Sequence, residues 1–209
     1  MSRRRFQRQA GFTLLEVMMA LTVLAIGMLG VVALQASTIG STQDAQMFTV
    51  ANSVARTWVQ RLQRDAARWN HPSTYSATDD IGDTVWLKKV GATPTPQWFR
   101  PGKPGVTDPI EPGASAAFDL YGRDVKMDDP DNSIYCTHLR LRRLYPDLIR
   151  AEVRVFWKKR RMANYARYDG HKMTSGLCSS DGNEETIGQD TDNFHWTYMV
   201  TAIGMARAQ

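Results

Sequence analysis

The chain has 209 residues, which suits one domain with an N-terminal extension. Its formal net charge of +5 points at first to an anionic partner. However, four of its 26 basic residues (Arg3, Arg4, Arg5 and Arg8) stand in the first eleven positions, and without that segment 22 basic residues face 21 acidic ones, a net +1 that excludes any case for nucleic-acid binding from overall charge.

Those first eleven residues carry no acid, so the positive-inside rule assigns them to the cytoplasm and the remainder of the chain to the far side of a membrane. From Phe12 to Leu34 the only charge is Glu16. The run is close to the ~20 apolar residues that a bilayer-spanning helix needs. A carboxylate near one end of such a span costs ~3 kcal/mol on insertion scales and calls for a partner or a function.

The stretch Gly11-Phe12-Thr13-Leu14-Leu15-Glu16-Val17 resembles the processing motif of type IV pilins and pseudopilins. The resemblance implies cleavage by a dedicated prepilin peptidase between Gly11 and Phe12, N-methylation of Phe12, and a role for Glu16 as the carboxylate that guides filament assembly. Physics is consistent with that role, because a carboxylate in lipid is relieved when it meets the protonated N-terminus of a neighbouring subunit. A plain signal anchor and a secretory signal peptide are the competing readings. Signal peptides have a shorter apolar region of about 7–15 residues and an A-x-A-like site after it, and the exit here, Leu34-Gln35-Ala36, fits that poorly.

Gly27 and Gly30 lie within the span. They read either as small residues that allow close helix packing or as weak points where the helix extends during assembly. The proline found in the corresponding helix of major pilins is missing. Beyond the span, Met47, Val50, Val54, Trp58, Leu62, Ala66 and Trp69 recur at intervals of three and four, the signature of an amphipathic helix. Arg56, Gln60, Arg61, Gln63, Arg64 and Asp65 fall mostly on its other faces. The polar join Ala36 to Ala45, with Gly40, leaves open whether the two helical segments are continuous. Asn70-His71-Pro72 marks the end, since the residue before a proline is pushed out of helical conformation.

Residues 71–133 hold Pro94, Pro96, Pro101, Pro104, Pro109 and Pro112 interleaved with glycines, and read as a long irregular connector with short strands around Thr84–Val90 and Ala117–Tyr121. Ile134–Tyr145 and Leu148–Trp157 then alternate around a Pro146-Asp147 turn, predicting an antiparallel hairpin. Val153, Val155 and Trp157 share the face expected to pack on the amphipathic helix, with Glu152 and Arg154 facing away. A polar loop from Lys158 to Asn193 precedes a last strand, His195 to Met205.

Cys136 and Cys178 fall on the non-cytoplasmic side, where an oxidising compartment favours a disulfide between them over two free thiols. Such a bridge contributes up to ~4 kcal/mol in the chain-entropy picture.

His71, His138, His171 and His195 are dispersed and lack metal-ligand spacing. There is no Gly-x-Ser-x-Gly elbow, phosphate-binding loop or His-Glu-x-x-His motif, which weakens an enzyme reading. The acidic stretches 128–132 and 181–192 offer hard oxygen ligands of the kind calcium takes, without the spacing of an EF-hand. Lys158-Lys159-Arg160-Arg161, with Arg150, Arg154 and Arg167 nearby and Tyr165 and Tyr168 interleaved, is a candidate contact for DNA, lipid headgroups or an acidic subunit, or else a solvated face.

The expected fold is α+β: a long N-terminal helix, transmembrane and then amphipathic, packed on an antiparallel sheet. Its expected divisions are a leader (1–11), a membrane or filament-core half (12–35), an amphipathic half (36–70) and a head (71–209) made of the connector (71–133) and the sheet (134–209). The resemblance implies a non-catalytic subunit without cofactor. It also implies the prepilin peptidase, the major pilin, other minor pilins, a tip adhesin and the inner membrane as partners, with location first in that membrane and then in a surface pilus. A pseudopilin of a type II secretion system and a ligand- or DNA-binding pilin are the alternatives.

Overall fold

The computed structural model describes residues 11, 13–69, 80–91, 95–102, 115–127, 129, 132–159, 178 and 190–205. One helix, α1 (Leu14–Trp69), precedes five strands: β1 (Ala117–Phe118), β2 (Asp124–Val125), β3 (Tyr135–Tyr145), β4 (Leu148–Lys158) and β5 (Phe194–Gly204). The strands form a single antiparallel sheet in the order β2-β1-β3-β4-β5. The architecture is the expected α+β one. Its residues fall into two compact units, Met1–Gln46 and Met47–Gln209.

In the first unit α1 is helical without interruption, and the helix continues through Gly40. The two threonines of the join are accommodated because their hydroxyls are satisfied within the helix. Thr38 Oγ1 donates to the Leu34 carbonyl and Thr42 Oγ1 to that of Thr38, both at 2.9 Å. Side chains from Leu14 to Leu34 are exposed throughout.

In the second unit the C-terminal part of α1 lays its apolar stripe on the sheet. Ala51, Val54, Trp58, Leu62, Ala66 and Trp69 share one core with Tyr135, Leu139, Ile149, Val153, Val155 and Trp157. The period of three to four on the helix meets the period of two on the strands, and each buries its apolar side. Polar ties fix the helix on the sheet: the Tyr135 hydroxyl donates to the Met47 carbonyl at 3.3 Å, and Thr197 Oγ1 donates to Asn52 Oδ1 at 2.8 Å. Burial pushes the Tyr135 hydroxyl up to about 12.

The hairpin pairs Tyr135 with Trp157 at its open end and Tyr145 with Leu148 beside the turn, and β5 pairs along the whole of β4. Directly opposite residues share a face, so the side away from α1 carries the rows Cys136-Phe156-Trp196, His138-Arg154-Tyr198 and Arg140-Glu152-Val200. A second apolar cluster lies there: Ala116, Ala117, Cys136, Phe156, Cys178 and Phe194. Cys136 and Cys178 are bonded as a disulfide, with Cα atoms 5.4 Å apart.

Three expectations require correction. Thr84–Val90 is not a strand, because 3₁₀ turns at Asp80–Asp83 and Leu87–Lys89 occupy that region. The cause is Asp65, whose carboxylate accepts the N–H groups of Val85, Trp86 and Leu87 at 2.7, 2.8 and 3.0 Å. Three consecutive donors turned to one acceptor are incompatible with the alternating donors of a strand.

Asp65 is therefore buried, not placed on an outward face of the helix. Its neighbour Arg61 also turns inward, stacking over Trp58 and Phe118 and pairing with both Asp124 carboxylate oxygens at 2.9 and 2.6 Å. The connector, finally, does hold ladders, though short ones. The strand expected at Ala117–Tyr121 is two residues long, ends where Asp119 closes a turn on the N–H groups of Tyr121 and Arg123, and is followed by β2.

Candidate assembly site at the N-terminal segment

The functional candidates of the N-terminal segment are Gly11, Phe12 and Glu16. Gly11 is exposed and outside the helix, and Phe12 lies outside the described residues. Thr13 is the residue that sets the local structure. Its carbonyl accepts the Glu16 and Val17 N–H groups at 3.1 and 3.2 Å, and its Oγ1 accepts the Glu16 N–H at 3.3 Å. Thr13 is thus the N-cap of α1 and Glu16 its third helical residue, in the Thr-x-x-Glu order of a capping box.

The cap fixes where the helix begins, and Gly11 lies outside it. Glu16, in the first turn, is favoured by the unsatisfied N–H groups and the dipole of the helix N-terminus. Its side chain is exposed. The cap is written in the sequence as Thr-Leu-Leu-Glu, where the charge of the glutamate masks its place in the capping pattern.

From Val17 to Gln43 there is no charged residue. The helix is long and apolar enough to cross a membrane, by length and composition. Thr22, a polar residue in the run, donates its hydroxyl to the Met19 carbonyl at 2.8 Å and so leaves no donor unsatisfied in lipid. At Gly27 and Gly30 an added Cβ meets nothing within 4 Å, and the helix passes through both without a break. Packing among the described residues therefore does not account for either glycine.

The other candidates scatter over the head. His138 is buried beside Arg154, whose guanidinium donates to its Nδ1 at 2.8 Å. Because arginine stays protonated, that nitrogen is an acceptor and the ring proton sits on Nε2. Burial, and then the charges of Arg154 and Arg100, lower the His138 pKa to about 3. His195 packs near Phe48 and Trp157, whereas His71 and His171 lie outside the described residues.

Among the described residues, the arginines near the basic run differ in exposure. Arg154 is buried against Trp98, with its guanidinium 4.4 Å from the ring centre, and Arg150 is held by Glu152 at 2.8 Å. Lys159 donates to the Thr191 carbonyl. Arg160, Arg161, Tyr165, Arg167 and Tyr168 lie outside the described residues. Arg154 is therefore withdrawn from the solvated face, whereas Arg150 remains exposed.

Of the acidic stretches, Asp129, Asp190 and Asp192 are described, and Asp192 is exposed. Asp129 and Asp190 accept the N–H and the side-chain amide of the asparagine three residues on, Asn132 and Asn193. Among the described residues no three His, Cys, Asp or Glu side chains gather to hold a metal ion.

No curated protein and no solved structure matches the chain. Residues 6–32 match the family model described as the prokaryotic N-terminal methylation motif. The matched segment covers Arg8, the capped helix start and Glu16. The motif indicates a type IV pilin or pseudopilin and suggests a structural subunit, and the apolar N-terminal helix fits a membrane-anchored one.

Proposed function

We propose that this chain is a minor pilin of a type IV pilus, a non-catalytic subunit that takes part in priming filament assembly and sits in a tip complex with other minor pilins. The observation that carries the reading is the methylation motif on residues 6–32, set on a helix capped at Thr13 with one carboxylate, Glu16, before a long uncharged and exposed run. The prepilin peptidase cleaves after Gly11 and methylates Phe12. The helix holds the subunit in the inner membrane, with residues 1–11 cytoplasmic and the head outside, until Glu16 docks on the N-terminus of a neighbouring subunit. Residues 12–35 then lie in the filament core, 36–70 carry the head, and 71–209 present it to the major pilin, other minor pilins and a tip adhesin.

Within the pilins, the Gly-Phe-Thr-Leu-Leu-Glu-Val-Met-Met-Ala-Leu start, the large head and the Val-Arg-Val-Phe-Trp strand resemble the minor pilin PilV. The size of the head favours the pilus over a type II secretion pseudopilin. The direct test is the intact mass of the protein purified from cells that contain the prepilin peptidase. A mature chain beginning at N-methylated Phe12 is expected, and a chain that keeps Met1 to Gly11 overturns the reading. Gene deletion separates the two systems: lost surface pili with intact secretion supports the pilus, and lost secretion with intact pili supports the pseudopilin.

A further inference from the structure

Among the described residues, the edge of β3 that faces away from β4 is covered only in part. Thr137 donates its N–H to the Ala116 carbonyl, and Leu139 exchanges two backbone bonds with Phe99, at 2.8 and 2.9 Å. Backbone direction alternates along a strand, so the next residue to turn its N–H and C=O to this edge is Leu141. An antiparallel continuation from Phe99 would set Gln97 opposite it, but Phe99 makes an isolated bridge and the ladder stops.

The chain diverges there and opens a groove of about 740 Å³, lined among others by Lys89, Gln97, Trp98, Leu141, Arg142 and Arg143. Its size is that of a ligand cleft, roughly 300–1,000 Å³. Among the described residues its lining includes three cations and no carboxylate. Lys89 sits with Nζ 4.6 Å from the centre of the Phe99 ring, and burial followed by the charge of Lys88 lowers its pKa. Arg142 stands directly opposite Arg150, a like-charge pair that disfavours the hairpin. Glu152 neutralises Arg150, and among the described residues no carboxylate pairs with Lys89 or Arg142.

We propose that this groove binds an extended acidic peptide segment of a partner protein, which adds to the β3 edge at Leu141 and sets its carboxylates against Lys89 and Arg142. Charge complementarity selects an anion. The N–H and C=O of Leu141, which line the groove edge and pair with no described residue there, select a peptide, since a polyanion without a peptide backbone leaves that edge unused. The site belongs to the head alone and does not depend on the reading of the N-terminal segment.

The test is fluorescence anisotropy of the full chain in detergent micelles, with a labelled peptide of alternating Glu and Thr as probe. Saturable binding is expected, weakened about tenfold or more in the Lys89→Gln/Arg142→Gln double variant and on N-methylation of alternate peptide nitrogens. Lys89, Gln97 and Arg142 are all exposed, so the fold tolerates their replacement. Gln97→Glu, which adds a carboxylate to the groove wall, is expected to weaken binding as well. Unchanged affinity in these variants or for the methylated peptide overturns the proposal. So does tighter binding of single-stranded DNA of equal charge, or no saturable binding up to about 1 mM.

Discussion

The buried N–H of Leu87 donates to the carboxylate of Asp65 at 3.0 Å, and through that bond a residue of α1 determines the path of a segment 22 positions further on. The same carboxylate takes the N–H groups of Val85 and Trp86. These bonds hold Leu87 and Trp86 against the helix, where Trp86 meets Trp58 edge to face at 5.4 Å. One acidic side chain thus supplies the backbone partners that a strand neighbour would otherwise give.

Replacing Asp65 should accordingly be costly for a helix residue. Asp65→Ala leaves three N–H groups without their acceptor and is expected to lower unfolding free energy by about 2–4 kcal/mol. Asp65→Asn keeps one acceptor oxygen and should lose less. Urea unfolding followed by tryptophan fluorescence reads the difference, and equal losses for the two variants would show that the hydrogen bonds are not the cause.

Asp65 also marks the limit of what the sequence discloses. The helix, the hairpin and the last strand are legible because each has a long repeating pattern: three to four along Met47–Trp69, two along Tyr135–Tyr145 and Leu148–Trp157. Asp65 and Arg61 are not, because a polar residue beside an apolar stripe reads as solvent-facing until its partner is known, and the partners, Leu87 and Asp124, are remote in sequence. The Trp98 contacts are hidden for the same reason. At the N-terminus the situation is reversed. Gly11, Thr13 and Glu16 form a local pattern, so the candidate site is legible in the order of the residues alone, while the groove beside Leu141 depends on tertiary pairing and leaves no trace in the sequence.

Gly122 and Gly91 allow backbone strain to be separated from packing. Both have positive φ, 76° and 78°. A Cβ at Gly122 would stand 3.4 Å from Val50 Cγ1 and from Val54 Cγ2 on α1, whereas at Gly91 it would meet nothing within 4 Å. Gly91→Ala should cost about 1–2 kcal/mol for the left-handed backbone alone. Gly122→Ala should cost that and more, with the excess falling when Val50 is also replaced by Ala. Thermal unfolding of the two single variants and the Gly122/Val50 double variant measures this coupling.

His138 predicts how stability changes with acid. Its pKa is about 3 in the folded chain and near the ordinary 6.5 when unfolded, so between those values the unfolded state binds a proton that the folded state does not. Stability from this residue is therefore complete above pH 6.5 and declines as pH falls towards 3, by at most about 1.4 kcal/mol per pH unit. In His138→Gln, which keeps an acceptor for Arg154, that slope should disappear. Unfolding midpoints measured across this range in wild type and variant decide the matter. An unchanged slope would assign the acid sensitivity to other groups.

The disulfide joins two buried cysteines, Cys136 and Cys178, 42 positions apart in the chain. Releasing it frees the unfolded chain and is expected to cost about 3–4 kcal/mol. The Cys136→Ala/Cys178→Ala pair should show this as a lower urea midpoint. Because Cys136 sits in the apolar cluster with Phe156 and Phe194, the hairpin core on the face towards α1 should persist. Exchange protection of β3 amides on reduction tests this, and uniform loss of protection would mean that the bridge supports the whole sheet.

Glu16 offers the sharpest separation of folding from assembly. It is exposed, lies in the first turn of α1, and makes no contribution to the core of the head. Its N–H, not its side chain, carries the Thr13 cap, so Glu16→Gln should leave the helix start intact. The variant is expected to insert in the membrane and form the Cys136–Cys178 bond like wild type, yet to appear in sheared filaments at about one tenth of the wild-type level or less, since every ~1.4 kcal/mol lost from docking is tenfold. Thr13→Ala should do the opposite, fraying the helix start by about 1 kcal/mol while keeping the charge. Immunoblots of sheared filaments against membrane fractions compare the two variants. Wild-type amounts of Glu16→Gln in filaments would remove the proposed docking role, whatever the processing of Phe12.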